Sequence, residues 1–157
     1  MARDRFILAR LLALLIPLAL LGGALAFQYI GKLYPCEMCW WQRYPHIAAL
    51  PLALLAFVVP SRAQREVFVS LAAVAILISG VIGAYHAGVE YHWWAGVTAC
   101  TSTVSGAITL DSIMAAPIIR CDVAQWTLFH VSLAGFNALF SVGGAITIFG
   151  LMRGAKA

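Results

Sequence analysis

The chain has 157 residues, of which 63% are hydrophobic and only 10% charged, and its formal net charge is +4. Soluble domains carry about 25% charged residues, and a small one keeps much of its surface in water, so this composition excludes an ordinary soluble domain and names lipid as the second solvent. The positive balance gives no case for nucleic acid, because the basic residues are few and scattered.

Four apolar segments follow in chain order, at 11–30, 44–60, 67–89 and 126–152. The first comes after Arg3, Arg5 and Arg10 and has the roughly 20 residues that a helix needs to cross the hydrocarbon core. Ala24-Leu25-Ala26 resembles a signal cleavage site, yet the run is long for a signal core; a retained span is expected. Isolated strands leave their backbone unsatisfied in lipid, whereas helices do not, and membrane helices tolerate prolines such as Pro17 and Pro51. The expected architecture is an all-α integral membrane protein. It forms a single domain over 1–157, a four-transmembrane-helix bundle with two extracytoplasmic cysteine-containing loops at 31–43 and 90–125.

Four spans place the N-terminus, the 61–66 loop and the C-terminus on one side, with Arg3, Arg5, Arg10, Arg62, Arg65, Arg153 and Lys156. The other side holds Lys32, Arg43 and Arg120. Basic residues accumulate in cytoplasmic loops, so both termini are expected in the cytoplasm and Cys36, Cys39, Cys100 and Cys121 on the outer, oxidising face, where disulfides persist. Within the second loop, Ile108, Leu110, Ile113, Met114 and Ile118 make a weakly amphipathic stretch suited to the membrane surface.

Cys36-Glu37-Met38-Cys39 places two thiols close enough to open and close a disulfide, and such motifs lower a cysteine pKa. A helix starting near Cys39 would turn its positive dipole end toward the sulfur, and Arg43, one turn on, adds a full charge. Pro45 fits best in a first helical turn, which argues for a later start; the helix begins either near Tyr44 or near Cys39 with a kink. Cys100 and Cys121 read either as a structural brace, which restricts the unfolded chain, or as a second exchanging pair beside the first. Zinc is disfavoured because Cys100 and Cys121 are not a close-spaced ligand pair, and haem attachment needs a histidine where Trp40 stands. His86 and Glu90 sit near the outer end of the third span, where ionisable groups are functional candidates or simply reach the solvated interface. Trp40, Trp41, Tyr44, Tyr91, Trp93, Trp94 and Trp126 suit an interfacial aromatic belt, and His46 and His130 read as structural.

Tyr34-Pro35-Cys36-Glu37-Met38-Cys39-Trp40-Trp41-Gln42-Arg43 resembles the first outer loop of the disulfide bond formation protein B (DsbB) family. So do the stretch from Tyr85 to Glu90, Trp93-Trp94-Ala95-Gly96, and Cys121 followed by Gln125-Trp126; Gln42 stands where some members carry an acid. The resemblance implies an oxidase for a periplasmic thioredoxin-like, DsbA-type dithiol protein in the bacterial inner membrane. It assigns Cys100 as the sulfur attacked by the partner, Cys121 as the attacker of Cys36, and Cys39 as the quinone-facing thiolate. Arg43 would stabilise that thiolate and the bound quinone, with His86 nearby. Electrons would leave through ubiquinone or menaquinone. The chemistry is consistent: DsbA is a strong oxidant at about −120 mV, and reoxidising it takes a stronger acceptor, which a lipid-borne quinone supplies. Two rivals share the spans. A vitamin K epoxide reductase-like or dedicated-partner thiol oxidase would generally place its quinone-side pair late in the chain, and a disulfide-braced non-enzymatic membrane subunit would work without its cysteines.

Overall fold

The computed structural model describes residues 2–98, 100 and 119–155. Four long helices carry the fold: α1 (Ala2–Tyr29), α2 (Glu37–Val58), α3 (Arg62–Glu90) and α4 (Leu133–Gly154). A two-stranded antiparallel hairpin, β1 (Thr127–Leu128) and β2 (Val131–Ser132), precedes α4. The helices pack around a ring in chain order, and α4 closes it against α1. Three of them, α1, α3 and α4, are long and apolar enough to cross a membrane.

The start of each helix is written locally. Ser61 caps α3 in a reciprocal box, its side chain accepting from the Gln64 amide while the Gln64 side chain accepts from the Ser61 amide. Ser132 caps α4 by accepting from the Gly135 amide. Cys36 caps α2, its sulfur accepting from the Cys39 amide at 3.3 Å. The helix therefore begins at the cysteine motif, and Pro45 and Pro51 lie inside it. Each of these prolines lacks an N–H and leaves one carbonyl a turn earlier without its helical donor.

The core runs contrary to that of a water-soluble protein. Ala9 and Ala13 on α1, Ala49, Ala53 and Ala56 on α2, Ala72 and Ala73 on α3 and Ala145 on α4 are fully buried. On α1 and α2 the spacings of three, four and seven residues put these alanines on one helix face. Large apolar side chains point outward instead, with Val81 59% and Ile146 64% exposed. Small residues inside let helix backbones approach closely where lipid, not water, surrounds the bundle. Gly83 marks one such approach: a Cβ there would stand 3.0 Å from the Ala134 carbonyl oxygen and 2.9 Å from Asn137 Nδ2.

The apolar segment at 126–152 is not helical throughout. Residues 127–132 form the hairpin, and α4 starts only at Leu133. Phe129 and His130 both adopt positive φ, 51° and 62°, the two-residue geometry that joins twisted antiparallel strands. The amphipathic stretch at 108–118 lies outside the described residues.

Candidate active site

At the end of the bundle formed by the start of α2 and the close of α3, four sulfurs gather. Cys100 and Cys121 are joined in a disulfide with their Cα atoms 5.4 Å apart. Cys36 and Cys39 are free thiols, and their sulfurs lie 2.9 Å apart. Cys36, Cys100 and Cys121 are buried against Met38 and Val89. Cys36 Sγ, Cys121 Sγ and a ring nitrogen of His86 all lie within 4.8 Å of one another. That grouping has metal-ligand types, but the Cys121 sulfur is already bonded to Cys100, so it is better described as the gap between two cysteine pairs.

The thiols differ in character. Cys36 is held well above the ordinary thiol range, first because it shares its proton with the Cys39 sulfur and second because it is buried. Cys39 is lowered, chiefly by accepting that hydrogen bond, with a further contribution from the Arg43 charge and against the effect of burial. Within the pair, Cys39 is the sulfur biased toward thiolate and Cys36 the one biased toward thiol. Thr98 adds a hydroxyl 3.0 Å from Cys100 Sγ and 3.7 Å from Cys121 Sγ.

Arg43 is buried but does not sit directly on the sulfur. Its guanidinium donates to Gln28 Oε1 at 2.6 Å and to the Ala24 carbonyl at 3.3 Å, both on α1, and lies 4.9 Å from the Trp40 ring centroid. It is anchored across the α1–α2 seam, with its charge beside Cys39. A cavity of about 340 Å³ opens there. Cys36, Cys39, Arg43, Gln42, His46 and His86 line its polar side, and Phe27, Trp126, Phe136 and Phe140 its apolar side. An apolar chamber of this size with a few convergent polar groups is the usual form of a small-molecule site.

His86 connects the cavity to the disulfide. Its Nδ1 meets Gln42 Nε2 at 2.8 Å, and its Nε2 meets the Cys121 carbonyl at 3.1 Å and Cys36 Sγ at 3.7 Å. Gln42 is the donor to Nδ1, so the imidazole proton sits on Nε2, facing the Cys121 carbonyl with Cys36 Sγ farther off. Behind Gln42, Asn137 of α4 donates to Gln42 Oε1 at 2.9 Å, while His46 and Ser141 meet Asn137 Oδ1 at 3.0 Å each. Ser79 of α3 donates to the Gln42 carbonyl at 2.7 Å. Asn137, Ser79 and Ser141 are not predicted by the sequence, and Gln42 enters there only as a departure from the family pattern. An isolated Asn or Ser in an apolar helix was the available signal, since such groups need a partner in lipid. His46, read as structural, both supports this chain and lines the cavity. Glu90 stands one turn beyond His86, 3.8 Å from its Nε2, and His130 lies in the hairpin turn, where its carbonyl accepts from Tyr91.

Residues 5–151 match the family model for disulfide bond formation protein DsbB. A disulfide bond formation protein B from Verminephrobacter eiseniae is 30% identical over 147 residues, covering 88% of this chain and 81% of that protein. An uncharacterized protein of Rickettsia prowazekii is 23% identical over 146 residues, 89% of this chain and 84% of its own. No solved structure matches. The similarity runs nearly the whole length of the chain and includes the cysteine motif that opens α2; the protein belongs to the DsbB family of disulfide-forming membrane oxidoreductases.

Proposed function

We propose that the protein reoxidises a periplasmic thioredoxin-like, DsbA-type dithiol protein and passes the electrons to a membrane quinone, ubiquinone or menaquinone. In this reading α2 is a fourth span, both termini are cytoplasmic, and the sulfurs face the periplasm of a bacterial inner membrane. The observation that carries it is the short gap from Cys121 Sγ to Cys36 Sγ, within 4.8 Å, with Cys39 beyond it on the wall of an apolar cavity.

The partner's thiolate attacks Cys100, the Cys100–Cys121 bond breaks, and Cys121 leaves as a thiolate near the Thr98 hydroxyl. The partner's second thiol resolves the mixed disulfide and departs oxidised. Cys121 then attacks Cys36 of an oxidised Cys36–Cys39 pair, and Cys39 leaves as the thiolate. Closure of Cys100 onto Cys121 restores the outer disulfide and leaves Cys36 and Cys39 reduced, which is the arrangement of sulfurs seen here. A quinone supplies the acceptor for two electrons and two protons, the number the partner dithiol gave up. The cavity suits such a group: aromatic walls for a flat ring, and the Arg43 guanidinium as a donor for a carbonyl. Arg43 holds charge beside Cys39, and His86 directs its N–H toward Cys36 as that sulfur is released.

The test is direct. Purified protein in detergent, given reduced DsbA-type partner and a short-chain ubiquinone, should convert the quinone to quinol as the partner forms its disulfide. No quinol from protein with all four cysteines intact would overturn the proposal.

A further inference from the structure

A second cavity, of about 350 Å³, lies at the opposite end of the bundle and is lined by Arg3, Phe6, Ile7, Arg10, Arg62 and Arg65. Arg3, Phe6 or Ile7, and Arg10 recur along one face of α1, and Arg62 and Arg65 share one face of the first turn of α3. No acid lines the chamber. Glu66 lies beside it and receives Arg62 Nε at 2.9 Å.

Three features show a site built for an anion. Arg10 of α1 and Arg65 of α3 line the same chamber from two helices. Arg10 Nε is buried and has no hydrogen-bond partner among the described residues, while the guanidinium lies 4.2 Å from the Phe57 ring centroid. The first turn of α3 carries two arginines and no acid, although a helix N-terminus favours negative charge there. The positive end of that helix dipole and the cations around it together favour a phosphate.

We propose that this chamber binds a phosphate group, that of an anionic membrane lipid such as phosphatidylglycerol. The lipid source follows from the walls. Phe6 and Ile7 complete the chamber, and Ile7, Leu8 and Leu11 continue from it as exposed apolar side chains along α1, so a phosphate among the arginines leaves its acyl chains against that strip. Basic pockets between membrane helices recognise anionic headgroups in this way.

Thermal unfolding of the full chain, purified in neutral detergent, tests this with phosphatidylglycerol, phosphatidylcholine and inorganic phosphate added separately. Phosphatidylglycerol should raise the midpoint by about 3 °C or more, as expected for a ligand that binds only the folded state, and phosphatidylcholine should not. Arg10→Gln should lose most of that shift, and Arg153→Gln, at the same end but outside the chamber, should keep it. If Arg10→Gln fails to fold, Arg3→Gln at the chamber's exposed edge serves instead. A shift with inorganic phosphate but not with the lipid would overturn the lipid assignment. Equal shifts with the two lipids, or a full shift in the chamber variant, would overturn the site. Neither thiol nor quinone enters the readout, so this result and the oxidase activity stand or fall separately.

Discussion

Gln42 ties three helices together through one amide. Its Nε2 donates within α2 to the Met38 carbonyl at 3.1 Å and across to His86 on α3, while its Oε1 accepts from Asn137 on α4. Gln42→Leu leaves His86 Nδ1 buried without its donor. An orphaned buried group costs about 1–3 kcal/mol, and that loss should appear in denaturant unfolding in detergent, accompanied by slower exchange between the two cysteine pairs. The thiols give a pH prediction. Because Cys39 is lowered, its anion is the form the fold favours; the stabilisation is present above the pKa of an unfolded thiol, about 8.5, and is lost as pH falls through the folded value. Alkylation of Cys39 should therefore reach half its maximal rate below the pH at which an unperturbed thiol does. Cys36→Ala removes the leading cause and should move that midpoint upward. Under the proposed relay, Cys39→Ser abolishes quinone reduction, whereas Cys100→Ser blocks the partner step and leaves the Cys36–Cys39 pair competent with a small dithiol.

At the scale of elements, close packing decides which glycines matter. Gly83→Ala would push a methyl into Asn137 and the Ala134 carbonyl. It should destabilise by about 1–3 kcal/mol, as overpacking does, whereas Gly22→Ala on α1, with nothing within 4 Å of the new Cβ, should be neutral or slightly stabilising. The contrast is measurable as the difference between two unfolding midpoints. The same scale shows what the sequence conceals. The apolar runs and flanking arginines marked where helices had to be, because length and hydrophobicity suffice for that. The start of α2 stayed undecided between Cys39 and Tyr44, since a capping sulfur at Cys36 carries less propensity than the usual Ser, Thr or Asp, and Pro45 argued the other way. The hairpin at 127–132 was hidden because Phe129 and His130 make its turn without the Asn or Gly that normally signals one, inside a run apolar enough to read as helix.

For the whole molecule, the inverted distribution of alanines inside and large apolar side chains outside is the physical statement that lipid is its solvent. The placing of Cys36, Cys39 and Arg43 together at the start of α2 was legible from their spacing. The polar chain behind it was not: Asn137 meets Gln42 across 95 residues and His86 meets Gln42 across 44, pairings that no local pattern encodes. Arg43 lines the cavity, and its hydrogen bonds to α1 were likewise beyond a local reading. What joins these pieces into one device is the gap between the outer disulfide and the inner thiols. In a Cys39→Ser/Cys100→Ser variant only Cys36 and Cys121 remain, and their sulfurs lie within 4.8 Å. Mild oxidation followed by mass mapping of the peptides should recover a Cys36–Cys121 disulfide in high yield; two thiols that stay free under conditions that close Cys100–Cys121 in the parent chain would contradict the relay.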